Sequence, residues 1–138
     1  MSIEIQLATT ENLLQIKTIA DKERGLLGFV TRPALQESVE RSQLYVAVAI
    51  GGEVVGFANC WRRKDGWHTI REICITFSYR ANGAGRALIN AIPKPIRLKC
   101  LADNDQANQF YQHLGFVLAK TIPANGKKRA LYEWHLTQ

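Results

Sequence analysis

The stretch YRANGAGRAL, residues 79–88, places two glycines one residue apart between a strand-like segment and a helix-like segment. It lacks the G-x-x-x-x-G-K-[ST] run of a P-loop. It also lacks the third small residue of a dinucleotide-binding fingerprint, because Leu88 stands three residues after Gly85. The unpaired N–H groups of a helix N-terminus suit an anion, and Arg80 and Arg86 add positive charge. Alone, the stretch is compatible with a phosphate site or with a tight turn between two solvated arginines.

Hydrophobic periodicity predicts the elements on either side of this stretch. Period-two or fully apolar runs predict strands at 3–8, 44–50, 53–61, 67–77, 96–102, 116–122 and 129–136. Helical spacing predicts helices from a Thr9 or Thr10 cap to residue 20, and over 33–41, 83–92 and 104–115. The first helix is expected to bury Leu13, Leu14, Ile16, Ile19 and Ala20. This order predicts a mixed α/β sheet with helices on both faces.

Length and composition indicate one ordinary globular domain over residues 1–138. The N-terminus lacks the features of a signal peptide, and no apolar run approaches the length of a membrane span, so a cytoplasmic protein without membrane contact is expected. The net charge of +6 favours anionic partners such as phosphates, nucleotides, nucleic acid or acidic substrates.

The cysteines do not form a recognisable metal or disulfide pattern. Cys60, Cys74 and Cys100 are odd in number and widely spaced, without a C-x-x-C pair. We therefore expect small buried residues and no metal site.

Two motifs together resemble one family. Arg80-x-x-Gly83-x-Gly85, after a strand that ends in ICI, is similar to the acetyl-CoA signature of the GCN5-related N-acetyltransferase (GNAT) superfamily. The segment NDQANQFYQHLGF, residues 104–116, resembles a second conserved segment of that superfamily. The resemblance implies the α/β (α+β) GNAT fold: a mixed, mostly antiparallel sheet of about seven strands, with about four helices on both faces. The sheet would be splayed between its fourth and fifth strands.

The resemblance also implies a binding site for acetyl-CoA (coenzyme A). Backbone N–H groups of the glycine loop would hold the pyrophosphate, and the splayed strand would pair with the pantetheine arm. Ala81 stands where many relatives have glycine. The implied cofactor-binding residues are Ile73, Cys74, Ile75, Arg80, Ala81, Asn82, Gly83, Ala84, Gly85, Arg86, Asn104, Ala107 and Tyr111.

By the same resemblance Tyr111 stands at the position of the general acid, although a core tyrosine would fit the helical pattern equally. The N–H of Ile75 could stabilise the oxyanion. For the general base, Glu72 is the first candidate, His68 the second and a water chain the third; Glu72 could instead be a structural ion-pair partner of an arginine such as Arg71. An acyl-enzyme on Cys74 is not favoured, since no histidine and acid constellation is evident beside it.

The expected function is direct acetyl transfer from acetyl-CoA to a primary amine of a small molecule or peptide. The acceptor would lie against residues 24–33 and the strand of Asn59 and Trp61. Trp61 and Trp67 could wall that pocket or simply flank the turn at residues 62–66. A non-catalytic acyl-CoA sensor or interaction domain is one alternative. Another, suggested by the net charge of +6, is an acetyltransferase acting on aminoacyl-tRNA or nucleic acid, although a nucleic-acid partner is not the favoured interpretation. A homodimer through the final hairpin stays open.

Overall fold

The computed structural model describes residues 2–23, 30–80 and 82–138. The strands are β1 (Ile3–Leu7), β2 (Leu44–Ala49), β3 (Val54–Arg62), β4 (His68–Ile75), β5 (Ile96–Leu101), β6 (Val117–Ile122) and β7 (Leu131–Leu136). The α-helices in the described ranges are α1 (Leu13–Lys22), α2 (Arg32–Glu40), α3 (Ala84–Ala91) and α4 (Asp105–His113). Each of these elements was predicted, with differences of a few residues at the ends.

The strands form a sheet in the order β1-β2-β3-β4-β5-β7-β6. β4 and β5 are parallel, while β1–β2, β2–β3, β5–β7 and β6–β7 are antiparallel. The described β4–β5 ladder ends at the pair Ile70↔Leu98, although β4 continues to Ile75. This confirms the predicted mixed sheet and its splay between the fourth and fifth strands.

Contacts divide the chain into two compact units. The N-terminal unit comprises Met1–Trp61 and Arg71–Ile92, and the C-terminal unit comprises Arg62–Ile70 and Pro93–Gln138. The single domain over residues 1–138 stays a prediction. In the described part of the chain, no helix has the length and apolar character needed to cross a membrane.

In the N-terminal unit, α1 and α2 pack onto one face of the sheet. The core on this face contains Leu44 and Val46 from β2, Phe57 from β3 and Cys74 from β4. The alternate residues of β2, such as Ala47, are also buried, and α3 packs against β1 and β2. Helices therefore cover both faces of β2, which explains why its sequence is apolar throughout.

The start of α1 differs from the prediction. Thr9 donates its N–H to Asn12 Oδ1 at 2.8 Å and opens a short 3₁₀ turn, so α1 begins only at Leu13. Leu14 is 66% exposed, and its placement in the buried stripe was wrong. Residues three and four positions apart lie on the same face of a helix. For Leu14 these residues are Lys17 and Thr18, which are polar, so Leu14 lies on a polar face.

In the C-terminal unit, Asn108 of α4 joins the helix to two strands. Its Nδ2 donates to the carbonyl of Leu101 at 3.0 Å, and its Oδ1 accepts from Trp134 Nε1 at 2.8 Å. Gly115 follows α4 with φ +98°, the left-handed conformation predicted for a glycine just beyond a helix end. These contacts fix the helix that carries Tyr111.

Candidate active site

The glycine loop joins the end of β4 to the start of α3. After β4, a 3₁₀ turn at Phe77–Tyr79 leads into the loop, and Gly83 precedes the helix with φ +79°. A Cβ built on Gly83 would meet no atom within 4 Å, so glycine is favoured here by the backbone conformation rather than by crowding. The strand-to-helix turn predicted from residues 79–88 is confirmed.

The N-terminus of α3 presents backbone N–H groups that have no partner within the helix. The first helical hydrogen bond runs from the N–H of Ala87 to the carbonyl of Gly83 at 3.0 Å. The N–H groups of Ala84, Gly85 and Arg86 precede that bond, and glycine supplies no side chain to cap them. The helix dipole adds partial positive charge at the same end. This end of the helix is therefore suited to an anion such as a diphosphate.

Arg80 turns back from the loop toward β4. Its Nε donates to the carbonyl of Ile75 at 3.0 Å, and its Nη2 lies 2.7 Å from Glu23 Oε1, just after α1. The guanidinium also lies over the ring of Phe77, at 5.6 Å from the centroid. Arg80 thus connects the end of α1 to the end of β4, a role that sequence reasoning missed. Its contact with a cofactor stays a prediction, and Ala81 lies outside the described residues.

Close packing of β3 on β4 depends on a glycine that sequence reasoning did not single out. A Cβ on Gly56 would lie 2.5 Å from Ile75 Cδ1 and 2.9 Å from the carbonyl oxygen of Cys74. The available signal was an isolated glycine inside a strand pattern, which often marks a close approach of backbones. Gly56 therefore helps to fix the position of the strand residues expected to bind pantetheine.

The three cysteines carry no disulfide, and burial raises the pKa of each thiol. Cys60 and Cys74 are buried and Cys100 is half-buried. The pKa of Cys74 is raised to about 11, chiefly by burial and then by Glu23, with Arg80 opposing. A thiol with this pKa is a poor nucleophile at neutral pH. This supports direct transfer over an acyl-enzyme.

Glu72 faces the side of the sheet that α1 and α2 cover. Its Oε1 accepts a hydrogen bond from Asn59 Nδ2 at 2.9 Å. Alternate residues of a strand share a face, and both Cys74 and Phe57, two positions away on their strands, belong to the core beneath α1 and α2. The structure thus answers a question of strand parity that the sequence left open. Glu72 is paired with an amide rather than with Arg71.

His68 lies in the C-terminal unit at the start of β4. Burial, and then the nearby charge of Arg62, lower its pKa below the usual value of 6.5. Its backbone N–H donates to the carbonyl of Pro95 at 2.9 Å, and its buried Nδ1 has no hydrogen-bond partner among the described residues. The imidazole is therefore neutral at pH 7 and able to accept a proton.

Tyr111 is only 8% exposed on α4. Its ring makes edge contacts with Phe110 and Phe116, each at a centroid distance of 5.6 Å. Burial, and to a lesser extent Cys100, raise the pKa of the phenol, so it stays protonated at neutral pH. A protonated phenol can donate a hydrogen bond to a developing thiolate, and the core packing expected for this residue holds as well.

Asn104 caps α4 as predicted, because its Oδ1 accepts the N–H of Ala107 at 3.2 Å. Any contact of either residue with a cofactor stays a prediction. Among the described residues, no three His, Cys, Asp or Glu side chains group closely enough to hold a metal ion.

The predicted acceptor surface is only partly described. Residues 24–29 of the loop lie outside the described residues. The guanidinium of Arg71 lies over the ring of Trp61, with its Cζ 4.5 Å from the ring centroid. The ring of Trp67 packs against the ring of His135, with their centroids 4.7 Å apart, and Arg97 Cζ lies 5.5 Å from the Trp67 centroid. Both contacts are within the C-terminal unit. The role of either tryptophan as a pocket wall stays a prediction.

Comparison with known proteins identifies the family. Residues 40–118 match the acetyltransferase (GNAT) domain family. No curated protein sequence matches the chain. Among solved structures, Ard1 from Thermoplasma volcanium has 21% identity over 100% of this chain and 99% of its own, with a TM-score of 0.83. Arabidopsis thaliana Naa50 in complex with the bisubstrate analogue CoA-Ac-MVNAL has 20% identity over 100% of both chains and a TM-score of 0.77. The ribosomal-protein-S18-alanine N-acetyltransferase from Escherichia coli has 17% identity over 99% of this chain and 96% of its own, with a TM-score of 0.78. The chain belongs to the GNAT acetyltransferase domain family.

Proposed function

We propose that this protein is an N-acetyltransferase that moves acetyl from acetyl-CoA to a primary amine by direct transfer in a ternary complex. The observation that carries the proposal is the uncapped N-terminus of α3 behind Gly83, directly after β4 and its short turn. Family membership supports acetyl-CoA as the donor.

Two parts of the N-terminal unit would bind the donor. The backbone N–H groups of residues 83–86 would hold the pyrophosphate, aided by the helix dipole, whereas the N–H of Asn82 already donates to the carbonyl of Tyr79 at 3.2 Å. Residues 73–75 continue β4 past its last described pair with β5, so their backbone groups are suited to the pantetheine amides. Family resemblance adds Asn104, Ala107 and Tyr111.

The reaction can be written with its protons balanced. The acceptor ammonium gives one proton to Glu72, and the amine lone pair attacks the thioester carbon. The carbonyl becomes an oxyanion, for which we assign the N–H of Ile75 as donor. As the C–S bond breaks, Tyr111 donates a proton to the thiolate of CoA, and the second nitrogen proton restores the phenol. Glu72 returns its proton to solvent.

A base is needed because the acceptor nitrogen must lose protons during the transfer. At pH 7 about one α-amine in ten is neutral, but only about one lysine-type amine in 2,500. Glu72 is our choice, since its carboxylate lies in β4 immediately before residues 73–75. His68 is the second candidate, and its lowered pKa keeps it able to accept a proton.

The acceptor class is proposed from the names of the structural neighbours. The Escherichia coli neighbour is a ribosomal-protein-S18-alanine N-acetyltransferase, and the Naa50 structure holds a CoA-peptide analogue. Peptide α-amines are therefore the first acceptors to test, ahead of lysine side chains and small amines.

The test is a transfer assay on the purified chain. Acetyl-CoA is incubated with peptides that have free N-termini, with an N-blocked peptide containing lysine, and with simple alkylamines. Free thiol and N-acetyl product are then measured together. The proposal predicts equal amounts of both for at least one amine class. Tight CoA binding without N-acetyl product from any of them would instead support an acyl-CoA sensor.

A further inference from the structure

The side chain of Asn59 in β3 is buried, and only one end of its amide has a hydrogen-bond partner among the described residues. It is 3% exposed, and its Nδ2 donates to Glu72 Oε1 at 2.9 Å. Its Oδ1 is also buried and has no hydrogen-bond partner among the described residues. A buried carbonyl without a partner destabilises a fold, because it loses its bonds to water and gains none in return.

Asn108 shows how a structural asparagine looks in the same chain. It is 8% exposed, and both ends of its amide are bonded, to the Leu101 carbonyl and to Trp134 Nε1. Asn59 and Asn108 are therefore similar in burial but differ in how completely their amides are hydrogen-bonded. Among the described residues, the side chain of Asn59 makes one hydrogen bond, and its partner is the carboxylate that we propose as the base.

We infer that Asn59 is a positioning residue that orients Glu72 for proton transfer from the acceptor amine, an inference that rests on the proposed function. The amide occupies one carboxylate oxygen and fixes the rotation of the carboxylate. The other oxygen, Oε2, is left to receive the proton. A leucine at position 59 would fill a similar volume without an unpaired oxygen, so the fold alone does not require asparagine.

Stability and activity should therefore respond differently to Asn59→Leu. The variant is expected to keep a Tm close to that of the wild type, because removal of the unsatisfied buried oxygen offsets the loss of the hydrogen bond to Glu72. It should lower kcat/KM for the amine about 10–100-fold through loss of orientation, with the Kd of acetyl-CoA changed less than about twofold. The matched control Asn108→Leu should lower the Tm by several degrees, since it breaks three hydrogen bonds: two from Nδ2 to the carbonyls of Leu101 and Ala102, and one from Trp134 Nε1 to Oδ1.

The decisive experiment is a double-mutant cycle. Wild type, Asn59→Leu, Glu72→Gln and the double variant are compared for kcat/KM with one amine from the transfer assay. Because Asn59 is argued to act through Glu72, the double variant should be no slower than Glu72→Gln alone. Asn59→Asp keeps the size of the side chain but replaces the amide donor by an acceptor, so it should lose activity even if the leucine variant folds poorly.

Independent, additive effects of the two substitutions would overturn this inference. So would a Tm loss in Asn59→Leu as large as that in Asn108→Leu, or full activity in Asn59→Leu and Asn59→Asp. These results leave acetyl transfer by the wild-type chain intact, and so separate this inference from the proposed function. Absence of transfer by wild type to any amine would reject the proposed function, and the role of Asn59 with it.

Discussion

Substitution of Gly83 by alanine separates backbone strain from anion binding. Gly83 has φ +79°, and an added Cβ would meet no atom within 4 Å. The cost to the free chain is therefore the left-handed backbone alone, about 1–2 kcal/mol for an L-residue. For a domain of this size, that corresponds to a Tm loss of roughly 3–8 °C.

Gly52 provides a matched control. It lies in the β2–β3 hairpin with φ +89°, and a Cβ there would also meet no atom within 4 Å. Gly52→Ala should therefore lower the Tm about as much as Gly83→Ala. Any difference between the two variants in cofactor binding then reports on the loop rather than on general stability.

The expected change in the Kd of acetyl-CoA in Gly83→Ala follows from the hydrogen bonds between the N–H groups of α3 and the diphosphate. A methyl group on Gly83 would obstruct the approach of the diphosphate to the N–H groups of α3. Loss of one charge-assisted bond costs about 1.5–3 kcal/mol, and about 1.4 kcal/mol is a tenfold change in Kd. We expect the Kd of acetyl-CoA to rise at least about tenfold in Gly83→Ala and to change less than about twofold in Gly52→Ala.

Isothermal titration calorimetry with acetyl-CoA and with S-acetylpantetheine would test this reasoning. S-Acetylpantetheine lacks the pyrophosphate, so its affinity should be similar in wild type and Gly83→Ala. Unchanged acetyl-CoA affinity in Gly83→Ala, at a Tm loss equal to that of Gly52→Ala, would refute the anion site at α3.

Three further predictions concern single residues. Tyr111→Phe should reduce kcat about 100-fold or more with little change in KM for acetyl-CoA, because the ring packing is retained while the proton donor is lost. Tyr45, a half-buried tyrosine of β2 with no role in the proposed reaction, provides the control Tyr45→Phe. Equal losses of kcat in both variants would contradict the role of Tyr111. Cys74→Ala should retain kcat within about threefold, because burial raises the pKa of the thiol to about 11 and makes it a poor nucleophile. Mass spectrometry of the wild type should detect no acetylated Cys74. An acetyl-Cys74 adduct that passes its acetyl group to the amine would contradict direct transfer. For His68, the folded chain has the lower pKa, so the unfolded chain binds the proton more readily. The free energy of unfolding is therefore unaffected by His68 above about pH 6.5 and falls as the pH drops below that value. Urea unfolding between pH 7 and 5 should show a smaller loss of unfolding free energy in His68→Gln than in wild type. An identical dependence of this free energy on pH in both proteins would show that His68 is not the group responsible.

The fold was largely predictable because its main signals are local. The apolar run of β2, the glycine after α4 and the Asn104 cap each follow from side-chain chemistry within a few residues. The splay after Ile70↔Leu98 came from family resemblance, since no local pattern marks where a parallel ladder ends.

The error at Leu14 arose from helix phase. Leu14 is two positions before Ile16, about 200° around a helix, so it points away from the stripe of buried residues whatever residue begins α1. The polar residues Lys17 and Thr18 on the same face were a visible warning.

Side-chain pairing at the site could not be predicted from the sequence. Asn59 and Glu72 are 13 positions apart on different strands, and Arg80 reaches Glu23 across 57 positions. Such pairs depend on strand register and helix placement, which single-sequence patterns do not determine. The residues of the glycine loop were predicted correctly as a strand-to-helix turn, whereas the partners of its arginine were not.

The binding of the acetyl donor can be observed most directly by amide NMR. The ¹⁵N-labelled chain is titrated with acetyl-CoA and, separately, with S-acetylpantetheine. We predict that acetyl-CoA causes large shifts at the amides of residues 82–86 and at Ile73 and Ile75, while S-acetylpantetheine shifts the amides of Ile73 and Ile75 and leaves those of residues 82–86 unmoved. Saturable binding of acetyl-CoA that leaves the amides of residues 82–86 unmoved would contradict the proposed cofactor site.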